Sequence, residues 1–92
     1  MIKSFACRDT EKLFKDEQVH RFQSFERQAR KRLMVLHAAP SLKALMLNLG
    51  NKFHALKGDR KRQYAISINN QWRVCFEWHE GNAYNVQITD YH

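Results

Sequence analysis

The sequence predicts an α+β domain whose N-terminal helices pack on one face of a twisted antiparallel β-sheet. Two observations carry this expectation. Up to Gly50 the apolar residues recur at steps of three and four; beyond it they alternate with polar ones. That is a change from helical to strand period. Helices followed by hairpin-linked strands give a sheet with one apolar face, which the preceding helices cover.

Ile2 to Phe5 is a short strand candidate. It leads to a helix carrying Leu13 and Phe14, capped by Asp9 or Thr10 and ending near Asp16 to Gln18. From Arg21 to Ala38 the residues Phe22, Phe25, Ala29, Leu33 and Leu36 fall on one helical stripe, so the phenylalanines belong to the core. The basic run Arg27, Arg30, Lys31 and Arg32 occupies the solvated side, and contact with RNA or protein is its second use. Pro40 ends this helix. Ser41 caps a short helix holding Leu42, Leu45, Met46 and Leu49, which Gly50 stops.

Three strands follow as a meander. Tyr64, Ile66 and Ile68 alternate with Ala65, Ser67 and Asn69; Trp72, Val74, Phe76 and Trp78 alternate with Arg73, Cys75, Glu77 and His79. Asn69-Asn70 suits the first turn through asparagine's tolerance of positive φ, and Glu80-Gly81 suits the second. In the last strand Tyr84, Val86 and Ile88 share one face, opposite Asn85, Gln87 and Thr89. Asp90 continues the first phase and Tyr91 the second, while His54 and the cations after it occupy a loop before the strands.

At 92 residues the chain is expected to form one domain, spanning 1–92. Sixteen Lys and Arg against nine Asp and Glu leave a net charge of +7, so the surrounding field favours polyanions, nucleic acid first and an acidic protein second. Cys7 and Cys75 are too few for a disulfide framework and sit in no paired metal motif, and scattered His and Cys give poor spacing for zinc. No metal or other cofactor is expected. No apolar run follows Met1-Ile2-Lys3 or approaches a membrane span, so a cytoplasmic protein is expected.

Two clusters carry chemistry: His54 to Arg62, with Lys57, Arg60, Lys61 and Arg62, and the terminal Asp90-Tyr91-His92. Cleaving RNA without a metal needs a base for the ribose 2′-hydroxyl, an acid for the leaving 5′-oxygen and cations near the phosphorane. Histidine suits the first two tasks because it changes charge near neutral pH. Lys57 and Arg73 suit the third, and Tyr91 can stack on a splayed base. Arg60, Lys61 and Arg62 are candidate RNA or ribosome contacts. Each residue also has a structural reading: His54 as a loop histidine, 57–60 as a charged turn, and Asp90 as a salt-bridge partner of Arg73 or a support for a histidine.

These motifs, HALKGDRKRQYAISINNQWRVCFEW from His54 and GNAYNVQITDYH from Gly81, with MIKSF at the start, resemble the host-inhibition-of-growth (HigB) toxins of the RelE/ParE superfamily of type II toxin–antitoxin systems. The region from Glu11 to Lys52 resembles them only in character, and Ala55 stands where the family commonly has proline. The resemblance implies a RelE-like microbial ribonuclease fold and ribosome-dependent mRNA cleavage that represses translation and arrests growth. It places His54, Asp90, Tyr91 and His92 as active-site residues, with Lys57 and Arg73 as supporting cations. It also implies a helix-turn-helix antitoxin of the HigA kind, whose complex with the toxin binds operator DNA. Two other readings use the same charge: a toxin of this fold acting on DNA gyrase, and a non-catalytic nucleic-acid or antitoxin-binding module.

Overall fold

The computed structural model describes residues 1–56 and 62–90. Among them lie three α-helices, α1 (Arg8–Phe14), α2 (Glu26–Ala38) and α3 (Leu42–Leu49), and four strands, β1 (Phe53–Ala55), β2 (Gln63–Ser67), β3 (Trp72–His79) and β4 (Asn82–Asp90). The strands form one antiparallel sheet in the order β1-β2-β3-β4. The expected α+β class holds, with one strand more than the meander. Phe53–Ala55 pairs with β2, so His54 stands on an edge strand rather than in a loop.

One face of the sheet carries the core. Ile66, Val74, Phe76, Val86 and Ile88 are buried against Leu13, Phe22, Phe25, Ala29, Leu33, Leu36 and Leu45 from the helical side. Strand period two then sends the intervening residues to the opposite face. This alternation fixes which side chains can form a site.

The expected helix from Arg21 to Ala38 is broken at its start. His20–Phe25 is a 3-10 helix, and α2 begins only at Glu26. Phe22 and Phe25 are three residues apart, which a three-residue turn aligns on one side. Both rings meet Trp72, Phe22 edge-on with centroids 5.8 Å apart and Phe25 stacked at 4.9 Å. Part of the basic run is structural as well. Arg30 donates to the carbonyls of Leu13 and Glu17 and pairs with Asp16 at 3.3 Å, while Arg32 Nε donates to the Ser67 carbonyl at 3.1 Å.

Ser41 and Gly50 act as expected on α3. The Ser41 hydroxyl accepts the Ala44 N–H at 3.1 Å, and Gly50 turns the chain away at φ +55°. Met46, expected with the apolar stripe, is 53% exposed, because only Leu45 and Leu49 of this helix are buried.

Helix α1 differs from its expected start and end. Cys7, rather than Asp9 or Thr10, occupies the cap position, and the helix stops at Phe14, before Asp16 with φ +67°. Thr10 has a different task. It is fully buried, and its hydroxyl accepts the N–H of Ile88 at 2.9 Å. The candidate N-terminal strand Ile2 to Phe5 runs parallel to β4 through isolated bridges at Ile2–Ala83 and Phe5–Val86. Lys3 and Ala6 donate to the carbonyls of Ala83 and Val86, while Ala83 and Val86 donate to Met1 and Ser4. Together with Thr10, these bonds satisfy an edge that would otherwise invite pairing with another chain.

The first hairpin turn differs from its expected form, and the second keeps it. Asn69 and Asn70 do not adopt positive φ; instead the Asn69 side-chain oxygen accepts the N–H groups of Gln71 and Trp72, both at 2.8 Å. A side-chain turn of this kind replaces the strained backbone turn. At Glu80-Gly81 both residues do have positive φ, +50° and +81°.

Tyr84 lies on the face opposite to the expected one. In β4 the register passes from Cys75↔Gln87 to Glu77↔Tyr84, so Asn85 and Val86 together oppose Phe76. This bulge inserts one residue and reverses the phase beyond it. Asn85 takes the strain at φ +52°, donating its backbone N–H to Ser4 Oγ at 2.8 Å and its side-chain amide to Glu77 Oε2 at 2.9 Å. Ala83 moves into the core and Tyr84 moves out of it.

Thr10→Val keeps the shape of the side chain but leaves the Ile88 N–H without its acceptor. Urea denaturation should show a loss of about 1–3 kcal/mol. An unchanged midpoint would mean that this bond does not hold β4 to α1.

Candidate active site

The face of the sheet away from the helices is built by register. His54 on β1 stands opposite Ala65, and that row continues through Cys75 to Gln87. The neighbouring row runs from Ser67 through Arg73 to Thr89. His54 and Arg73 therefore share one face, as the alternation of β3 required for Arg73. Ser67 joins the two rows, with its Oγ 3.3 Å from His54 Nε2 and Arg73 as its direct partner across the strands.

The histidine is exposed, whereas Arg73 and Ser67 are half-buried. An imidazole open to a ligand beside a guanidinium on a rigid strand can combine proton transfer with stabilisation of phosphate charge. The scaffold also fixes Ser67 from behind through Arg32 on α2, which holds its carbonyl. Cys75 Sγ lies 3.5 Å from Thr89 Oγ1 on the same face.

Asp90 has a different placement. It is paired with Trp72, so its side chain belongs to the phase of the helix-covered face, and its Oδ2 accepts the Gln71 amide at 3.1 Å. The geometry brings His54 and Arg73 together on one face but does not put Asp90 there. Arg62 is exposed with φ +65°, and its carbonyl accepts the Trp78 N–H. Lys57, Arg60, Lys61, Tyr91 and His92 lie outside the described residues.

Sequence reasoning did not single out Ser67, although its alternation with Ile66 and Ile68 already put it on the Arg73 face. It also gave no role to the group at the other end of this face. There Glu77 accepts from Asn85 and lies 3.2 Å from His79 Nε2, while the His79 and Tyr84 rings are 5.6 Å apart. The Asn85 amide and then His79 hold the Glu77 carboxyl below its usual value, against a smaller opposing effect of burial. At the start of α1, burial alone would raise the Cys7 thiol; hydrogen bonds from Thr10 and Asp9 and the charge of Arg21 bring it below its usual value. Among the described residues, no three His, Cys, Asp or Glu side chains are grouped to hold a metal ion. No helix among them is long and apolar enough to cross a membrane.

A small antiparallel sheet, helices on one side and a histidine–arginine face on the other define a basic α+β protein of the RelE-like kind. The chain belongs to the HigB-like toxins, described as RelE-like toxins of type II toxin–antitoxin systems, whose family model matches residues 3–92. It is similar to Toxin HigB-1 of Vibrio cholerae serotype O1 (strain ATCC 39315 / El Tor Inaba N16961), with 31% identity over 90 residues, 96% of this chain and 95% of that protein. It is also similar to Endoribonuclease HigB of Proteus vulgaris, with 42% identity over 41 residues, 45% of each chain. Membership of a toxin–antitoxin family implies an antitoxin partner.

The Glu77 contacts stabilise the ionised carboxylate. A depressed folded-state value gives stability that is present above the unfolded glutamate value and lost as pH falls through the folded one. Wild type should therefore gain stability over Glu77→Gln as pH rises from below the depressed folded-state value through the ordinary glutamate range. Parallel pH–stability curves for the two proteins would contradict this.

Proposed function

We propose that this chain is a ribosome-dependent mRNA endonuclease that works without a metal, represses translation and arrests growth. The observation that carries the reading is the common face of His54 and Arg73, joined through Ser67. The family membership and the similarity to the endoribonuclease of Proteus vulgaris support it.

In this reaction a base takes the proton of the ribose 2′-hydroxyl and the 2′-oxygen attacks phosphorus. The bond from phosphorus to the 5′-oxygen breaks, and an acid protonates the leaving oxygen. His54 and His92 exchange these protons, and Asp90, whose strand phase is away from the His54–Arg73 face, orients an imidazole rather than serving as the base. Arg73 and Lys57 stabilise the charge that develops on the phosphorane, arginine through a planar fork and lysine through a compact charge. Tyr91 positions the nucleotide by stacking, and Arg60, Lys61 and Arg62 contact RNA or ribosome. The toxin acts as a single cytoplasmic domain. Its partner is a helix-turn-helix antitoxin of the HigA kind, and the two together bind operator DNA.

Cleavage of ribosome-bound mRNA in the presence of a chelator tests the assignment. His54→Ala should slow cutting by about 10²- to 10⁴-fold, and Arg73→Ala by about 10²- to 10³-fold. Full activity of both variants would refute the site, and loss of wild-type activity on chelation would refute metal independence.

A further inference from the structure

The far end of the sheet face that carries His54 and Arg73 holds a second group of side chains. On β3 the residues Arg73, Cys75, Glu77 and His79 alternate onto this face, and Tyr84 on β4 stands opposite Glu77. Cys75 belongs to the His54 row, and Glu77 comes next on this face, about 7 Å further along the strand. A ligand lying along β3 beside His54 therefore meets Glu77 and Tyr84 as well.

Two features mark this group as more than a solvated edge. The first is the bulge, which exchanges Tyr84 for Ala83 in the core and holds exposed Asn85 at φ +52° to do so. Bulges beside active sites re-aim side chains, and an unfavourable φ that the fold maintains points to a use for what it re-aims. The second is the fixing of the Glu77 carboxylate. Its Oε2 accepts the Asn85 amide at 2.9 Å and its Oε1 lies 3.2 Å from His79 Nε2, yet each carboxylate oxygen can take a further donor. His79 in turn packs against Tyr84, ring centroids 5.6 Å apart and tilted by 57°, which holds the phenol ring in place.

The chemistry of the pair selects its ligand. A held aromatic ring takes the face of a nucleobase. An ionised carboxylate only accepts hydrogen bonds and repels phosphate, so a base edge enters and the backbone stays outside. Guanine alone offers adjacent donors to both oxygens, its ring N1–H and its exocyclic amino group. Adenine and cytosine place an acceptor beside their amino group, and uracil flanks its ring N–H with acceptors. We propose that Glu77 and Tyr84 form a subsite for a guanine base of single-stranded RNA, with His79 and Asn85 as positioning residues. The proposal rests on the nuclease reading for the presence of RNA on this face.

The test is binding of the full-length toxin to short 2′-O-methyl oligouridines that carry a single guanosine, inosine or adenosine. Inosine lacks only the exocyclic amino group. Wild type should bind the guanosine oligomer about 5-fold tighter than the inosine one and about 10-fold tighter than the adenosine one, a comparison that needs no variant. Glu77→Gln, with its thermal melting recorded, should bring the three within about 2-fold of one another. Tyr84→Leu should weaken all three alike, by about 5-fold or more. Equal binding of the three by wild type would overturn the proposal, and so would a guanosine preference that survives in folded Glu77→Gln. These oligomers cannot be cut, so a toxin that prefers guanosine but cleaves no message would sink the nuclease reading and uphold the subsite. Sequencing of the ends cut on ribosomes separates the sources of the base. A guanine enriched at a fixed position beside the cut, and lost in Glu77→Gln, assigns it to the message; an unchanged profile assigns it to ribosomal RNA.

Discussion

The rest of the structure depends on burial of one face of the sheet beneath the helices. Ile66, Val74, Phe76 and Ile88 can reach the core only if their neighbours point the other way, and that condition places His54, Ser67, Arg73 and Thr89 on a common surface. Fully burying each such side chain stabilises the fold by roughly 1.5–3 kcal/mol. A one-residue slip would expose these residues and bury Arg73. The core therefore sets the register, and the register sets the site.

The helical layer is tied to this sheet at defined points. Phe22 and Phe25 close on Trp72, Arg32 reaches the carbonyl at the end of β2, and Thr10 holds the backbone of β4. These contacts lie beneath or beside the residues of the face away from the helices. A side chain on a braced strand loses little freedom on binding a ligand, which favours a preorganised charge arrangement over one assembled by loops. The two sides of the molecule then differ in character: the sheet side presents imidazole and guanidinium, and the helical side presents the exposed apolar side chains of Met34, Met46 and Leu47.

Much of the fold was legible because period and caps are local signals. The stripe Ala29, Leu33 and Leu36, the cap at Ser41, the stop at Gly50 and the turn at Glu80-Gly81 all follow from residues close together in sequence. What could not be read depends on distant partners. The 3-10 start at His20 arises from the meeting of two phenylalanines with Trp72, and the task of Thr10 arises from Ile88. The reversal of Tyr84 comes from a bulge at Asn85 that also needs Ser4 and Glu77. For the site, Arg73 was legible from strand phase alone. His54 was recognised by type but placed in a loop, because the three-residue strand that holds it is too short to show a period.

Cleavage at this site requires mRNA to lie across the sheet face that carries His54 and Arg73. Photo-crosslinking tests this most directly, with a benzophenone side chain placed at Gln87, on the His54 row, or at exposed Gln28 on α2. On ribosomes carrying an mRNA with a 2′-O-methyl group at the scissile nucleotide, the probe at Gln87 should crosslink to the message and the probe at Gln28 should not. Crosslinking to the message from Gln28 alone would contradict the account.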